Sequence, residues 1–251
     1  MMKDLLLIGI GPGDPRQVTY EAVDAMRRAS VFFVLDKGAG RDELVQLRKA
    51  ILARYRPEGG YRLVQVADPR RDAVALDYVA AVRQWHRQRA ALYAQLLDDQ
   101  LAAGEVGAFL LWGEPGLYDS TLRILDLVRQ GGASLRLEII PGISSVQALA
   151  ARHQVPLNRI GEPLTVTPGR RLAGQERIDN VAVMLDGQCA FAELDDPGLV
   201  IYWGAYLGTE DEVLIAGPLS TVKARILQVR ERERRRKGWI MDSYLLRREL
   251  E

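Results

Sequence analysis

Cysteine is nearly missing from this chain of 251 residues, where Cys189 stands alone. One thiol cannot close an internal disulfide and excludes a cysteine-based zinc site; it fits a reducing cytoplasm. An excess of either charge is also missing. Lys and Arg number 34 against 33 Asp and Glu, a formal net charge of +1. Bulk affinity for nucleic acid normally needs a basic excess, so that partner is not expected. No charged-then-apolar-then-small pattern opens the chain, and its first apolar run is far too short to span a bilayer. That run is expected to be a buried strand. No internal repeat is visible. The length suits one large domain or two small ones with real cores.

Two phosphate-binding signatures are absent as well. The chain opens with DLLLIGIGPGDP, an apolar strand entering a glycine-rich turn. The dinucleotide fingerprint Gly-x-Gly-x-x-Gly needs glycine at its sixth position, where Asp14 stands. A carboxylate there repels phosphate, and Pro12 lacks an N–H donor. No Gly-Lys-Ser/Thr follows, which excludes a P-loop. By itself the turn reads as a tight strand-to-helix connection, with Asp14 capping a helix and Pro15 at its first position.

What is present is an α/β pattern. Residues 5–10 and 31–35 read as buried parallel strands around a helix carrying Val18, Ala22 and Met26. A helix over 42–55, a short strand over 61–67 and a strand over 106–112 follow. Between the last two, Val74, Tyr78, Val82, Trp85, Leu92 and Leu96 mark the apolar stripe of a long helix. Then come a helix over 121–130 ending at Gly131, a strand over 135–140 and a helix running to about His153. A linker near 155–163 suggests two domains, 1–158 and 159–251. The second holds strands over 164–167, 181–185, 199–203 and 212–216, and a helix over 220–236. The arginine-rich run from Arg230 to Lys237 reads as a solvated helix end.

Three further glycine-bearing turns follow apolar strands: WGEPGLY at 112–118, PGISS at 141–145 and WGAYLGT at 203–209. Ligands of open α/β sheets sit beyond the carboxyl ends of strands. Four such turns in one cleft would offer backbone groups, small side chains and acids, with no lysine cradle. That suits a cationic nucleoside without phosphates, as S-adenosylmethionine is; NAD and ATP do not fit.

These turns together resemble the tetrapyrrole (corrin/porphyrin) methylase family. The first motif resembles Gly9-x-Gly11-Pro12-Gly13-Asp14 and the third, Pro-Gly-Ile-Ser-Ser, stands intact at 141–145. The second, Gly-Asp-Pro-x-x-Tyr, is similar to Gly113-Glu114-Pro115-Gly116-Leu117-Tyr118, with Glu114 in place of the family's usual Asp. Segments 44–48 (LVQLR), 118–124, 183–187, 201–206 and 237–242 resemble a subgroup that acts in oxygen-dependent cobalamin synthesis. The resemblance implies two α/β domains with the methyl-donor cleft between them, a cytoplasmic homodimer, S-adenosylmethionine as donor and no metal. It implies methylation of a corrin precursor at C-1 with loss of an acetyl group. By carry-over, Pro12, Trp112, Gly113, Glu114, Leu117, Ser144, Ser145, Leu185 and Gly204 line the donor site. Asp36, at a buried strand end, is the first candidate for the base that activates water. Asp119, Asp186 and His153 are the others, each also readable as structural. Tyr118 is expected to orient substrate. Arg123, Arg170 and Arg171 are candidates to hold substrate carboxylates. The competing readings are a methylase of another tetrapyrrole carbon or of uroporphyrinogen III, one acting on ribosomal RNA or a modified histidine, and a non-catalytic nucleoside-binding module.

Overall fold

The computed structural model describes residues 2–36, 38, 42–70, 77–175 and 178–248. The chain divides into two compact units, Met1–Gly11 with Pro15–Ile143, and Pro12–Asp14 with Ser144–Glu251. The linker-like composition near 155–163 suggests a later division. The helix Ser145–His153 moves it earlier, because its buried Val146 and Leu149 pack in the second unit's core with Ala182, Leu207 and Leu245.

The first unit is built on a five-stranded parallel sheet in the order β3-β2-β4-β1-β5. Its strands are β1 (Lys3–Gly9), β2 (Val31–Asp36), β3 (Arg62–Ala67), β4 (Val106–Leu111) and β5 (Leu135–Ile140). Strand alternation divides the core in two. On one face Leu6, Ile8, Phe32 and Leu110 meet α1 (Tyr20–Arg28) and α2 (Asp42–Tyr55) through Ala22, Met26, Ile51 and Leu52. On the other Leu5, Leu7, Phe33 and Phe109 meet α3 (Tyr78–Gln100) and α4 (Thr121–Gln130) through Tyr93, Leu97, Ile124 and Leu125. Thus β1 and β2 lead to helices on one face, and β3 and β4 to helices on the other. Chains that leave neighbouring strands toward opposite faces open a crevice at their carboxyl ends. β4 has such a neighbour on each side.

Two local expectations change. Asp14 does not cap the first helix: Pro15–Gln17 forms a 3-10 turn, and Thr19 caps α1, its Oγ1 accepting from Ala22 N at 3.1 Å. The stripe proposed for α3 is kept in part: Leu96 is buried, Leu92 packs against the core and Val82 and Trp85 are half-buried, while Tyr78 is exposed and Val74 lies outside the described residues. The buried face adds Arg89, Ala90, Tyr93 and Leu97. A hydrophobic pattern misses this face because Arg89 sits in it, ion-paired to Asp68 at 2.8 Å, its guanidinium 4.5 Å from the Trp85 ring centre.

The second unit holds a mixed sheet in the order β6-β7-β10-β8-β9. These are β6 (Thr165–Pro168), β7 (Asn180–Met184), β8 (Leu199–Ala205), β9 (Val213–Pro218) and β10 (Asp242–Arg248). The helices α5 (Ser145–His153) and α6 (Leu219–Lys237) complete it. The central strand β10 is absent from the sequence reading. It pairs antiparallel with both β7 and β8, and its first five residues are buried.

Candidate active site

The first unit's strand-end turns interlock through backbone. Gly9, Gly113 and Gly142 follow or close the adjacent strands β1, β4 and β5. A Cβ on Gly142 would stand 2.3 Å from Gly113 O, and one on Gly9 2.6 Å from Gly142 N. No side chain fits between these backbones. Gly11 and Gly113 exchange two main-chain hydrogen bonds, at 3.3 and 2.9 Å. Gly113 itself has φ +78°, and a Cβ on it would enter open space. The Glu114 carboxylate ties two turns together: Oε1 accepts from Gly116 N and Oε2 from Gly142 N, each at 2.7 Å. The longer side chain therefore acts as a brace between the second and third motifs.

The other expected residues of this unit lie along the same sheet edge. Trp112 and Leu117 are half-buried in the turn after β4, and Tyr118 is exposed with φ +54°. A left-handed tyrosine is uncommon and is held only where its surroundings demand it. Asp119 Oδ1 accepts from Thr121 N, at the first residue of α4, at 2.6 Å; Ser120 stands at the cap position. Asp36 ends β2; its Oδ1 accepts from Gly38 N at 2.8 Å and its Oδ2 from Gln65 Nε2 at 3.0 Å. Arg123 is exposed on α4. A groove of about 440 Å³ lined by Lys3, Ala94, Asp98 and Ser134 opens at the opposite, amino end of the strands, away from all these groups.

In the second unit the expected residues separate into two kinds. Ser144 is buried and caps α5 in a full capping box with Gln147. Ser145 Oγ lies 3.1 Å from Ser243 Oγ. Gly204 is enclosed by side chains, since a Cβ there would stand 2.8 Å from both Leu149 Cδ1 and Leu207 Cδ2. Pro12 is buried, and a Cβ on the adjoining Gly13 would meet Thr209 Cγ2 at 2.7 Å. Leu185 is different: it is 56 % exposed with φ +53°, just beyond β7. Arg170 and Arg171 are exposed on a 3-10 turn.

Asp186 and His153 are both engaged. Asp186 accepts from Tyr244 Oη at 2.6 Å and Ala190 N at 2.7 Å. Beside it Arg230 donates from Nη2 to Asp186 O at 2.6 Å and from Nε to Asp242 Oδ2 at 2.9 Å. Trp203 Nε1 donates to the same Asp242 oxygen at 2.9 Å. Arg230 is thus a buried network member, unlike the solvated helix end expected of its run; the charge run hides it because its neighbours Arg232, Arg234, Arg235 and Arg236 do face outward. Burial raises the Asp242 carboxyl despite its Arg230 partner. His153 Nε2 lies 3.0 Å from Trp203 O, and burial lowers its pKa below the usual histidine value.

A family model for Tetrapyrrole (Corrin/Porphyrin) Methylases matches residues 4–223. The chain belongs to that family. This tetrapyrrole methylase is 46% identical over 249 residues to a Sinorhizobium sp protein named "Precorrin-6A synthase [deacetylating]", covering 98% of this chain and 95% of the relative. It is also similar to a solved structure of a putative cobalamin synthesis related protein from Corynebacterium diphtheriae, 36% identical, TM-score 0.86, covering 99% of each chain. A more distant relative is the chloroplastic S-adenosyl-L-methionine-dependent uroporphyrinogen III methyltransferase of Arabidopsis thaliana, 27% identical over 206 residues, 82% of this chain and 47% of the relative. Among the described residues, no helix is long and apolar enough to cross a membrane.

Proposed function

We propose that this tetrapyrrole methylase methylates precorrin-5 at C-1 and releases its acetyl group as acetate, giving precorrin-6A in cobalamin synthesis. The observation that carries the reading is the match, over nearly the whole of both chains, to the Sinorhizobium protein of that printed name.

S-adenosylmethionine supplies a methyl group made electrophilic by its sulfonium. The protein has to align the acceptor carbon, which can contribute several kcal/mol and up to roughly 7–11 in ideal cases. Gly113 supports the fit: its strand-end backbone is bare of side chain and faces open space. Trp112, Gly113, Glu114 and Leu117 of the first unit are proposed to contact the donor, Glu114 by holding the turn rather than by presenting a charge. In the second unit Pro12, Ser144, Ser145, Leu185 and Gly204 are the proposed contacts. Leu185 is the best supported of these by its exposed, left-handed position, while Ser144 and Gly204 serve by shaping the backbone.

Acetate loss asks for a base. In the proposed step Asp36 takes a proton from water, which adds to the acetyl carbonyl. The bond from that carbonyl to C-1 breaks, acetic acid leaves, and the electron pair stays on C-1 within the conjugated ring. The two contacts on Asp36 fix its carboxylate at the strand end. Asp119 is the second candidate, and Tyr118 is proposed to orient the ring. Asp186 is a poor candidate, since Tyr244, Ala190 and Gln188 already occupy its oxygens. The same reading carries a cytoplasmic homodimer with no metal requirement, checked by light scattering and by turnover after chelation.

Incubation with precorrin-5 and methyl-labelled donor tests the function. Label in the corrin with equimolar acetate is expected. Label without acetate would leave a methylase of another specificity, and no transfer to any tetrapyrrole would favour a nucleoside-binding module. Asp36→Asn is expected to stop acetate release while sparing donor binding; unchanged release would remove Asp36 as the base.

A further inference from the structure

The strands β2 and β4 part company before they end. Their pairing covers only Val31–Gly107, Phe32–Ala108 and Phe33–Phe109, whereas β2 continues beside β3 to Asp36. Arg48, from α2, fills the place that β2 vacates. Its Nε donates to Leu110 O at 2.8 Å, on the side of β4 away from β1, and its Nη1 to Leu44 O at 2.6 Å. The guanidinium thereby stands beside the carboxyl end of β4, between β2, which ends at Asp36, and the strand that leads into the Trp112–Asp119 turn. Among the described residues Nη2 has no hydrogen-bond partner, though the side chain keeps only part of its surface exposed. Desolvation pushes the guanidinium down to about 10, and the nearby Asp119 charge offsets only part of that. A desolvated cation with spare donors, in the crevice where ligands of such sheets bind, is an incomplete anion site.

We propose that Arg48 receives a carboxylate of the substrate through Nη2, and so sets how the macrocycle lies against Asp36 and Asp119. This rests on the tetrapyrrole reading above; the exposed Arg123, Arg170 and Arg171 have no comparable setting. The probes are an octacarboxylate porphyrin and a water-soluble tetracationic porphyrin, titrated by quenching of tryptophan fluorescence. Arg48→Met is expected to weaken the octacarboxylate about ten- to a hundred-fold, the range for losing a hydrogen bond to a charged group. The cationic ring and S-adenosylhomocysteine should bind Arg48→Met as they bind the wild type, and Arg48→Lys should recover part of the loss. A purely structural role would weaken all three ligands together and overturns the proposal. So does unchanged octacarboxylate affinity in Arg48→Met, which leaves the methylase reading standing. Failure of the wild type to bind the octacarboxylate also overturns the assignment, and the methylase reading then stands or falls on the precorrin-5 incubation. If Arg48→Met does not fold, phenylglyoxal labelling of the wild type decides. The Arg48 peptide should be modified, and protected by the octacarboxylate but not by the cationic ring. Absent labelling or absent protection overturns the assignment.

Discussion

The two units build their strand-end edges from opposite materials. In the first, Gly9, Gly113 and Gly142 bring three backbones together, and the single carboxylate of Glu114 fastens two of the turns through main-chain N–H groups. In the second, Asp186, Arg230, Asp242, Tyr244 and Trp203 form a buried side-chain network whose polar atoms serve one another. An edge made of glycine leaves space beside Gly113, where a Cβ would meet nothing within 4 Å. An edge made of paired charges is closed chemically, because each group is already satisfied. Leu185 is the exception that points outward from the second edge. The perturbed acid of this edge, Asp242, therefore marks structure rather than a ligand site.

The sharpest way to break the comparison is to remove a charge from the second edge. Arg230→Met leaves Asp242 buried without its countercharge, and breaking such a pair costs about 3–5 kcal/mol. Urea unfolding should show that loss; a change within about 0.5 kcal/mol would mean the edge is held by packing alone. At the first edge Gly142→Ala forces a Cβ against Gly113 O and Gly9 backbone, with an expected cost of about 3 kcal/mol. Gly187→Ala is its control, because nothing lies within 4 Å of a Cβ there. Equal stability of the two variants would refute the interlocked turns. A smaller effect is expected at Glu114. Glu114→Gln replaces one accepting oxygen with a donor that faces an N–H, a loss of about 1.5–3 kcal/mol, and calorimetry should show weaker donor binding in proportion. Glu114→Asp is expected to keep one of the two bonds and fall between.

Much of this edge was legible in the sequence, because its parts are local. A run of apolar residues followed by glycine gives strand then turn, and β1, β2 and β4 of the first unit follow from such runs; β3 lacks both the continuous run and the glycine. Three turns matched to motifs placed Trp112 to Tyr118 and Ser144 correctly at strand and helix ends. The unread features are those made by distant partners. β10 is defined by β7 and β8, about 40–60 positions earlier in the chain, and carries no glycine turn of its own. Arg89 and Arg230 look solvated by type, and only Asp68 and Asp242 show why they are buried. Arg48 belongs to the LVQLR segment at 44–48, but its meaning depends on where β2 leaves β4. Asp14 and Thr19 both fit a helix cap by type; the 3-10 turn between them decides for Thr19.

The mildest test uses pH, and compares one histidine from each unit. Burial lowers both His86 in the first unit and His153 in the second below the ordinary value of 6.5. A lowered pKa means the native state binds fewer protons than the unfolded chain between the two values. The stability is therefore present above about pH 6.5 and lost as pH falls through the folded value. The two sites differ in why the neutral ring is kept. His153 Nε2 has Trp203 O as a partner, which works against the lowering, whereas among the described residues His86 Nε2 is buried without a hydrogen-bond partner, and it has Arg89 and Arg123 nearby. Glutamine can donate to Trp203 O without titrating, so His153→Gln should match the wild type within about 1 kcal/mol at neutral pH. Its thermal midpoint should then fall less steeply between about pH 7 and pH 5. His86→Gln should flatten the same window further, because burial, Arg89 and Arg123 all act on it in one direction. If His153→Gln flattens the slope more than His86→Gln does, the Trp203 carbonyl is not supporting the charged ring. The polar closure of the second edge would then stop short of α5.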